Sequence, residues 1–201
     1  MNERLLKIKI YLHHRFKNHL DRLNHIYSVN KMAVLLGEIY GVKLNKVKMA
    51  ALLHDVTKYD SINKINIMAR EWVGERALKG VPLGCLHAYS AAQLAKKYFH
   101  IDDQDLLNAI TYHCSGKQDM SLLQQIIFVS DYIEETRSFI DESLRKIAKE
   151  DIDLATLIIL KNTINYLKNN DRDVSGLTLK ALTYYQNKSG VMNEHSFKKC
   201  I

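Results

Sequence analysis

Adjacent His54 and Asp55 are two metal-ligand side chains placed side by side, and His25, His87, His113 and Asp131 recur around them at intervals suited to successive helices. Imidazole and carboxylate together favour a borderline or hard cation over a thiolate-held structural zinc, and a cation so held points to hydrolytic chemistry. A single histidine on an apolar face is ordinarily a hydrogen-bonded core residue. His13, His14 and His19 share a basic amphipathic segment with Arg15 and Lys17 and read as a solvated face, while His100 and His195 read as loop or tail residues. Order and neighbours set the other six apart.

Those six need elements to position them. Val47, Ala50, Ala51, His54 and Lys58 recur at steps of three and four, which puts His54 beside an apolar helical stripe and Lys58 one turn further along the same side. His87 leads Ala91, Leu94 and Tyr98; His113 follows Leu106 and Ile110; Asp131 extends Leu123 and Ile127; His25 starts a run through Val29, Met32, Leu36 and Tyr40. Five helices thus each turn a polar group towards the core. A buried polar group without a partner costs about 1–3 kcal/mol, so a shared metal site is the economical reason for all of them.

The periodicity predicts an all-α protein with helices over residues 3–19, 25–40, 45–57, 61–79, 86–99, 104–113, 121–136, 141–149, 152–169 and 177–187. Gly41, the Gly80 to Gly84 stretch and Ser115-Gly116 punctuate them, and Pro82 is the one proline. The organisation read from this is an N-terminal basic helix (1–20), one helical domain (21–187) and a flexible tail (188–201). Residues Ile158, Ile159, Leu160, Ile164 and Leu167 form an apolar face that packs on the core or on a second subunit in a homodimer.

Composition bounds the function. A chain of 201 residues, 47% hydrophobic and 25% charged, is long enough for one sizeable core. It lacks the ~18–20 consecutive apolar residues that span a bilayer, and its N-terminus lacks a signal-peptide core, so a cytoplasmic protein is expected. Cys85, Cys114 and Cys200 form no CxxC pair. Cys85 and His87 with His113 and Cys114 could be written as a mixed zinc site, but helical neighbours diverge by about 100°, so a small apolar role is expected for these thiols. A net charge of +7 suits polyanionic partners. The lysines are dispersed, however, and no nucleic-acid motif appears, so nucleic acid is not required. Trp72, among Lys64, Arg70, Arg76 and Lys79, either borders the mouth of the site or packs in the core.

The order His, His-Asp, His, His, Asp resembles the HD superfamily of metal-dependent phosphohydrolases. Arg22-Leu23-Asn24-His25, Ala50 through Asp55 followed by Lys58, Tyr112 through Lys117, and Met120 through Glu134 to Arg137 are similar to the bacterial YqeK family of symmetrical diadenosine tetraphosphate hydrolases. The likeness runs from about Arg22 to about Leu167. It implies a single-domain HD-type helical bundle with a buried dinuclear site, most often iron. His25, His54, Asp55 and Asp131 would hold one ion, His87 and His113 the second, and Asp55 would bridge. Arg22, Lys58, Ser115, Gly116, Lys117 and Arg137 would ring the phosphates of a dinucleoside polyphosphate, and Asp55, Lys58, His87 and His113 would stand closest to the chemistry, a metal-bound hydroxide attacking an inner phosphorus to give two ADP.

Residue chemistry is compatible with that ring. A glycine directly after a ligand permits a sharp turn whose amides and neighbouring cation can receive phosphate oxygens, although Ser115-Gly116-Lys117 also reads as an ordinary helix stop. Ser28, Cys114, Lys117 and Glu135 depart from the family, where glycine, threonine, arginine and proline are common. Lysine at 117 cannot make the planar bidentate phosphate contact of arginine. Two other classes stay open at this point: an HD phosphohydrolase of other nucleotides or cyclic phosphodiesters, and a basic RNA- or ribosome-binding protein with a structural metal.

Overall fold

A computed structural model describes residues 3–138 and 140–197, with side chains described as far as Ser189. Among the described residues there are ten α-helices and no strand. They are α1 (Glu3–Arg15), α2 (Leu20–Ile39), α3 (Leu44–Leu53), α4 (Ile62–Val73), α5 (Leu86–Phe99), α6 (Gln104–Tyr112), α7 (Leu122–Ile133), α8 (Glu142–Glu150), α9 (Ile152–Asn169) and α10 (Gly176–Phe197). Local chemistry starts many of them. The side chains of Ser61, Asp103, Ser121 and Asp151 each accept from the backbone N–H three residues on, at the first turns of α4, α6, α7 and α9. Such caps satisfy amides that the helix itself leaves free.

The layout centres on α3. It packs against α1, α2, α6 and α7, with Val47, Ala50, Ala51, Leu52 and Leu53 fully buried. The last turn of α3, from Met49 to Leu53, is apolar all round and belongs inside the bundle, and a ligand at that end is placed deep by the same burial. Helices α4 and α5 pair on one flank, and α9 joins α7 to α10 on the other. Ile159, Leu160 and Ile164 are buried within the chain itself, so the apolar face of α9 packs on its own core.

Several boundaries differ from the periodicity. Helix α3 stops at Leu53, and residues beyond it form tight turns in which Lys58 N–H donates to Asp55 O (2.9 Å) and Asp60 N–H to Thr57 O (3.0 Å). Lys58 therefore reaches its place through those turns and not as the next rung of a helix. Helix α4 ends at Gly74, whose φ of 79° a glycine adopts without penalty, so the expected helix to residue 79 breaks there. Helix α10 runs on to Phe197, past the expected end at 187, while residues 198–201, including Cys200, lie outside the described residues.

The first helix is more than a solvated basic segment. Leu5, Ile8, Leu12 and Phe16 are buried, and Arg15 pairs with Asp60 and donates to Val56 O. Arg15 thus fastens α1 to the turn that follows His54 and Asp55. Trp72 packs against the core and donates from Nε1 to Thr111 Oγ1 (2.9 Å), between α4 and α6. No helix among the described residues is long and apolar enough to cross a membrane.

Candidate metal centre

His25 lies on the inner face of α2, His54 caps the C-terminus of α3 with Asp55 directly after it, His87 sits in the first turn of α5, His113 follows α6, and Asp131 is near the end of α7. The fold brings all six together. Asp55 is the hub: Oδ2 is 3.8 Å from His25 Nε2 and 3.6 Å from His54 Nε2, while Oδ1 is 2.9 Å from His87 Nε2 and 3.5 Å from His113 Nε2. Asp131 Oδ1 closes the first pair, 3.1 Å from His25 Nε2 and 3.8 Å from His54 Nε2. One carboxylate therefore divides four imidazoles into two pairs, one on each of its oxygens.

Hydrogen bonds on the far sides of the rings hold this arrangement. His54 Nδ1 donates to Ala51 O (2.6 Å), His113 Nδ1 to Ile110 O (2.8 Å) and His25 Nδ1 to Glu134 Oε1 (3.2 Å). A proton fixed on Nδ1 leaves the Nε2 lone pair directed inward, which is how a metal-binding histidine is oriented. Nε2 of His25, Nε2 of His54 and Oδ1 of Asp55 are buried and make no hydrogen bond of good geometry. Leaving three such atoms dry costs on the order of 1–3 kcal/mol each, and a cation between them removes that cost. Two ligands about 2.1 Å from one ion stand about 3.0–3.4 Å apart, so the spacings here need only small adjustment. The residues fit a metal site.

Electrostatics point the same way. Burial holds the His54 pKa down at about 4 and also lowers that of His87, keeping both rings neutral at physiological pH. Burial opposes charge on His25 and His113 too, but Asp131 at the first and Asp55 at the second outweigh it and raise their pKa values. Burial disfavours the anionic forms of Asp55 and Asp131; the surrounding imidazoles overcome this and hold both carboxyls well below the usual range, His54 foremost at Asp55 and His25 at Asp131. Both carboxylates are ready to bind a cation without first losing a proton.

Three basic residues face this core. Arg22 Nη1 donates to Asp55 Oδ2 (2.7 Å), Arg137 Nη2 to Asp131 Oδ1 (3.3 Å), and Lys58 Nζ stands 3.3 Å from His87 Nε2. Lys58, Arg137, His113 and Asp131 border a cavity of about 750 Å³ whose other wall is apolar, with Phe128, Ile159 and Tyr166 among its residues. That volume suits a nucleotide-sized ligand. A larger opening of about 850 Å³ between α1 and the end of α5 holds none of the six candidate ligands.

The Ser115-Gly116-Lys117 turn directly follows His113 and Cys114 and meets the cavity wall at Phe128. Ser115 is 3% exposed, its Oγ turned onto Gly116 O and its carbonyl bonded by Thr178 Oγ1. Gly116 has φ 62°, and its Cα faces Leu160, Phe128 and Met120. Lys117 Nζ folds back onto the carbonyls of Gln118 (3.2 Å) and Asp119 (3.4 Å). The turn is a helix stop that docks α6 on the apolar core, with its side chains engaged by protein groups. Lys117→Ala should leave kcat/KM within about twofold, the scale of a surface substitution. A tenfold drop in steady-state assays would support the phosphate role expected of Lys117.

Two residues were not assigned a site role from sequence. Glu134, 1% exposed, backs His25 and accepts from Thr136 N–H and Oγ1; its signal was an acidic residue three positions after Asp131 on an apolar helix. Cys114 Sγ lies 3.1 Å from His113 Nε2 and 3.4 Å from His87 Nε2. The argument from helical divergence fails there because α6 has already ended at Tyr112.

Six histidine and aspartate side chains converging at the heart of an all-helical bundle are compatible with divalent metal binding, and the chain belongs to the HD domain family, which matches residues 22–136. Within it, the chain belongs to the symmetrical bis(5'-nucleosyl)-tetraphosphatase family and is an enzyme. It is 35% identical to the symmetrical bis(5'-nucleosyl)-tetraphosphatase of Halalkalibacterium halodurans, over 85% of this chain and 91% of that protein. The Bacillus subtilis enzyme of the same name is 35% identical, over 79% and 87%. A crystal structure from Clostridium acetobutylicum, described as an HD superfamily hydrolase involved in NAD metabolism, superposes with a TM-score of 0.82 at 34% identity, covering 90% of this chain and 96% of that one. A basic binding protein with a merely structural metal gives way to a hydrolase.

Proposed function

We propose that this chain hydrolyses diadenosine tetraphosphate at its centre, giving two molecules of ADP, with two metal ions, of iron, seated on either side of Asp55. The observation that carries the reading is the division of four Nε2 atoms into two pairs by the two oxygens of that carboxylate. His25, His54 and Asp131 would hold one ion, His87 and His113 the other. Cations about 3.5–4 Å apart supply a nucleophilic water near neutral pH and neutralise charge on the attacked phosphoryl group.

The protein's own groups do the rest. Asp55 and Asp131 provide the negative charge that makes the site selective for multivalent cations, and Glu134 keeps the His25 lone pair aimed inward. Arg22, Lys58 and Arg137 bind the non-reacting phosphates and fix the chain of phosphorus atoms so that the central bridging oxygen lies opposite the incoming water. The apolar wall of Phe128, Ile159 and Tyr166 takes a nucleoside and excludes bulk water.

Product analysis in heavy-oxygen water tests this. One labelled oxygen should enter one of the two ADP molecules formed, and none should enter ADP added beforehand. Formation of ATP and AMP would mean that an outer bond is attacked and would overturn the symmetrical assignment.

A further inference from the structure

We infer that Cys114 is a further side-chain ligand, through its thiolate, of the cation held by His87, His113 and the bridging Asp55, giving that position a sulfur donor that the His25–His54 position lacks. This rests on the proposed reading of those two histidines as metal ligands. Sγ of Cys114 and Nε2 of His87 and His113 form one compact group, all mutually within 4.8 Å, with Sγ 3.1 and 3.4 Å from the two nitrogens. A second observation is independent of the cysteine. Oδ1 of Asp55, buried and without a hydrogen bond of good geometry, faces the same two Nε2 atoms. Two nitrogens and one sulfur thus lie mutually close, with a carboxylate oxygen against both nitrogens.

The spacings match ligation. A nitrogen about 2.1 Å and a sulfur about 2.3 Å from one ion, subtending about 90–109°, stand about 3.1–3.6 Å apart. In hydrogen bonds alone the thiol could donate to one ring and accept weakly from the other; ligation accounts for both contacts together with the unpartnered Asp55 oxygen. Binding would release the thiol proton to solvent as the sulfur–metal bond forms, with no change of oxidation state. The two positions then differ in softness: a thiolate draws the second position towards ions that tolerate sulfur, while the first keeps only imidazole and carboxylate.

Cobalt(II) alone, titrated into the full-length protein after anaerobic, reducing removal of metal, reads this directly. We expect two cobalt ions per chain and a near-ultraviolet sulfur-to-cobalt charge-transfer band that grows with one of the two. Cys114→Ala and Cys114→Ser should both lose the band, and Cys114→Ala should weaken binding of that cobalt at least about tenfold. Cys85→Ala, which removes the thiol hydrogen-bonded to Cys114, should keep the band. Two bound cobalt ions with visible ligand-field bands but no charge-transfer band would overturn the thiolate ligand and leave the dinuclear reading standing. Failure to bind cobalt would overturn both, and a band lost in Cys85→Ala but kept in Cys114→Ala would give the sulfur to the wrong residue.

Discussion

Asp55→Ala should leave a folded protein that holds fewer than about one metal ion per chain and has lost at least about a thousandfold in kcat/KM. The size follows from the position. Asp55 faces all four candidate imidazoles and carries the only carboxylate oxygen near His87 and His113 among the described ion pairs. Its loss removes an anion from both proposed metal positions at once. Metal assistance is worth several kcal/mol in such reactions, and ~4 kcal/mol is about a factor of a thousand. His54→Ala, which touches one position, should be milder in metal content. Circular dichroism controls for folding, and Asp55→Asn, of nearly the same shape, separates loss of charge from loss of packing. A fully active Asp55→Ala protein would sink the dinuclear reading.

Lys58→Ala should keep its metal and lose about 10- to 100-fold in kcat/KM. Lys58 borders the cavity, and its Nζ stands 3.3 Å from His87 Nε2, close enough for the same ammonium to reach a phosphate oxygen. A hydrogen bond to a charged group contributes about 1.5–3 kcal/mol, which sets the range. Removing a cation beside His87 should not weaken metal binding, since like charges disfavour each other there. Metal analysis and steady-state kinetics on one preparation decide the matter: loss of metal with normal turnover after reconstitution would make Lys58 a structural residue.

The contrast between Lys58 and Lys117 shows why a phosphate ring is hard to read from a chain. Both lysines follow a candidate ligand within a few residues, His54 for one and His113 for the other. Lys58 reaches the site because the turns after α3 swing it towards α5, where Thr57 Oγ1 also bonds His87 O (2.8 Å). Lys117 Nζ instead meets the carbonyls of Gln118 and Asp119, after Gly116 at positive φ. Spacing alone cannot distinguish these outcomes.

The sequence by itself determined the all-helical class and the six ligand-type residues. Amphipathic period and burial of polar groups are local properties that any compact fold must respect, and five polar interruptions of apolar stripes admit few explanations. Only the tertiary structure decided how the six pair off across Asp55, that Glu134 backs His25, that Arg15 holds α1 to the Asp60 turn, and that Cys114 joins His87 and His113. Each of these depends on where a helix stops and what it then meets. Helix ends are set by differences of about 1 kcal/mol between a further helical turn and a cap or a packed turn, and the side chains that tip that balance lie up to a hundred residues away along the chain.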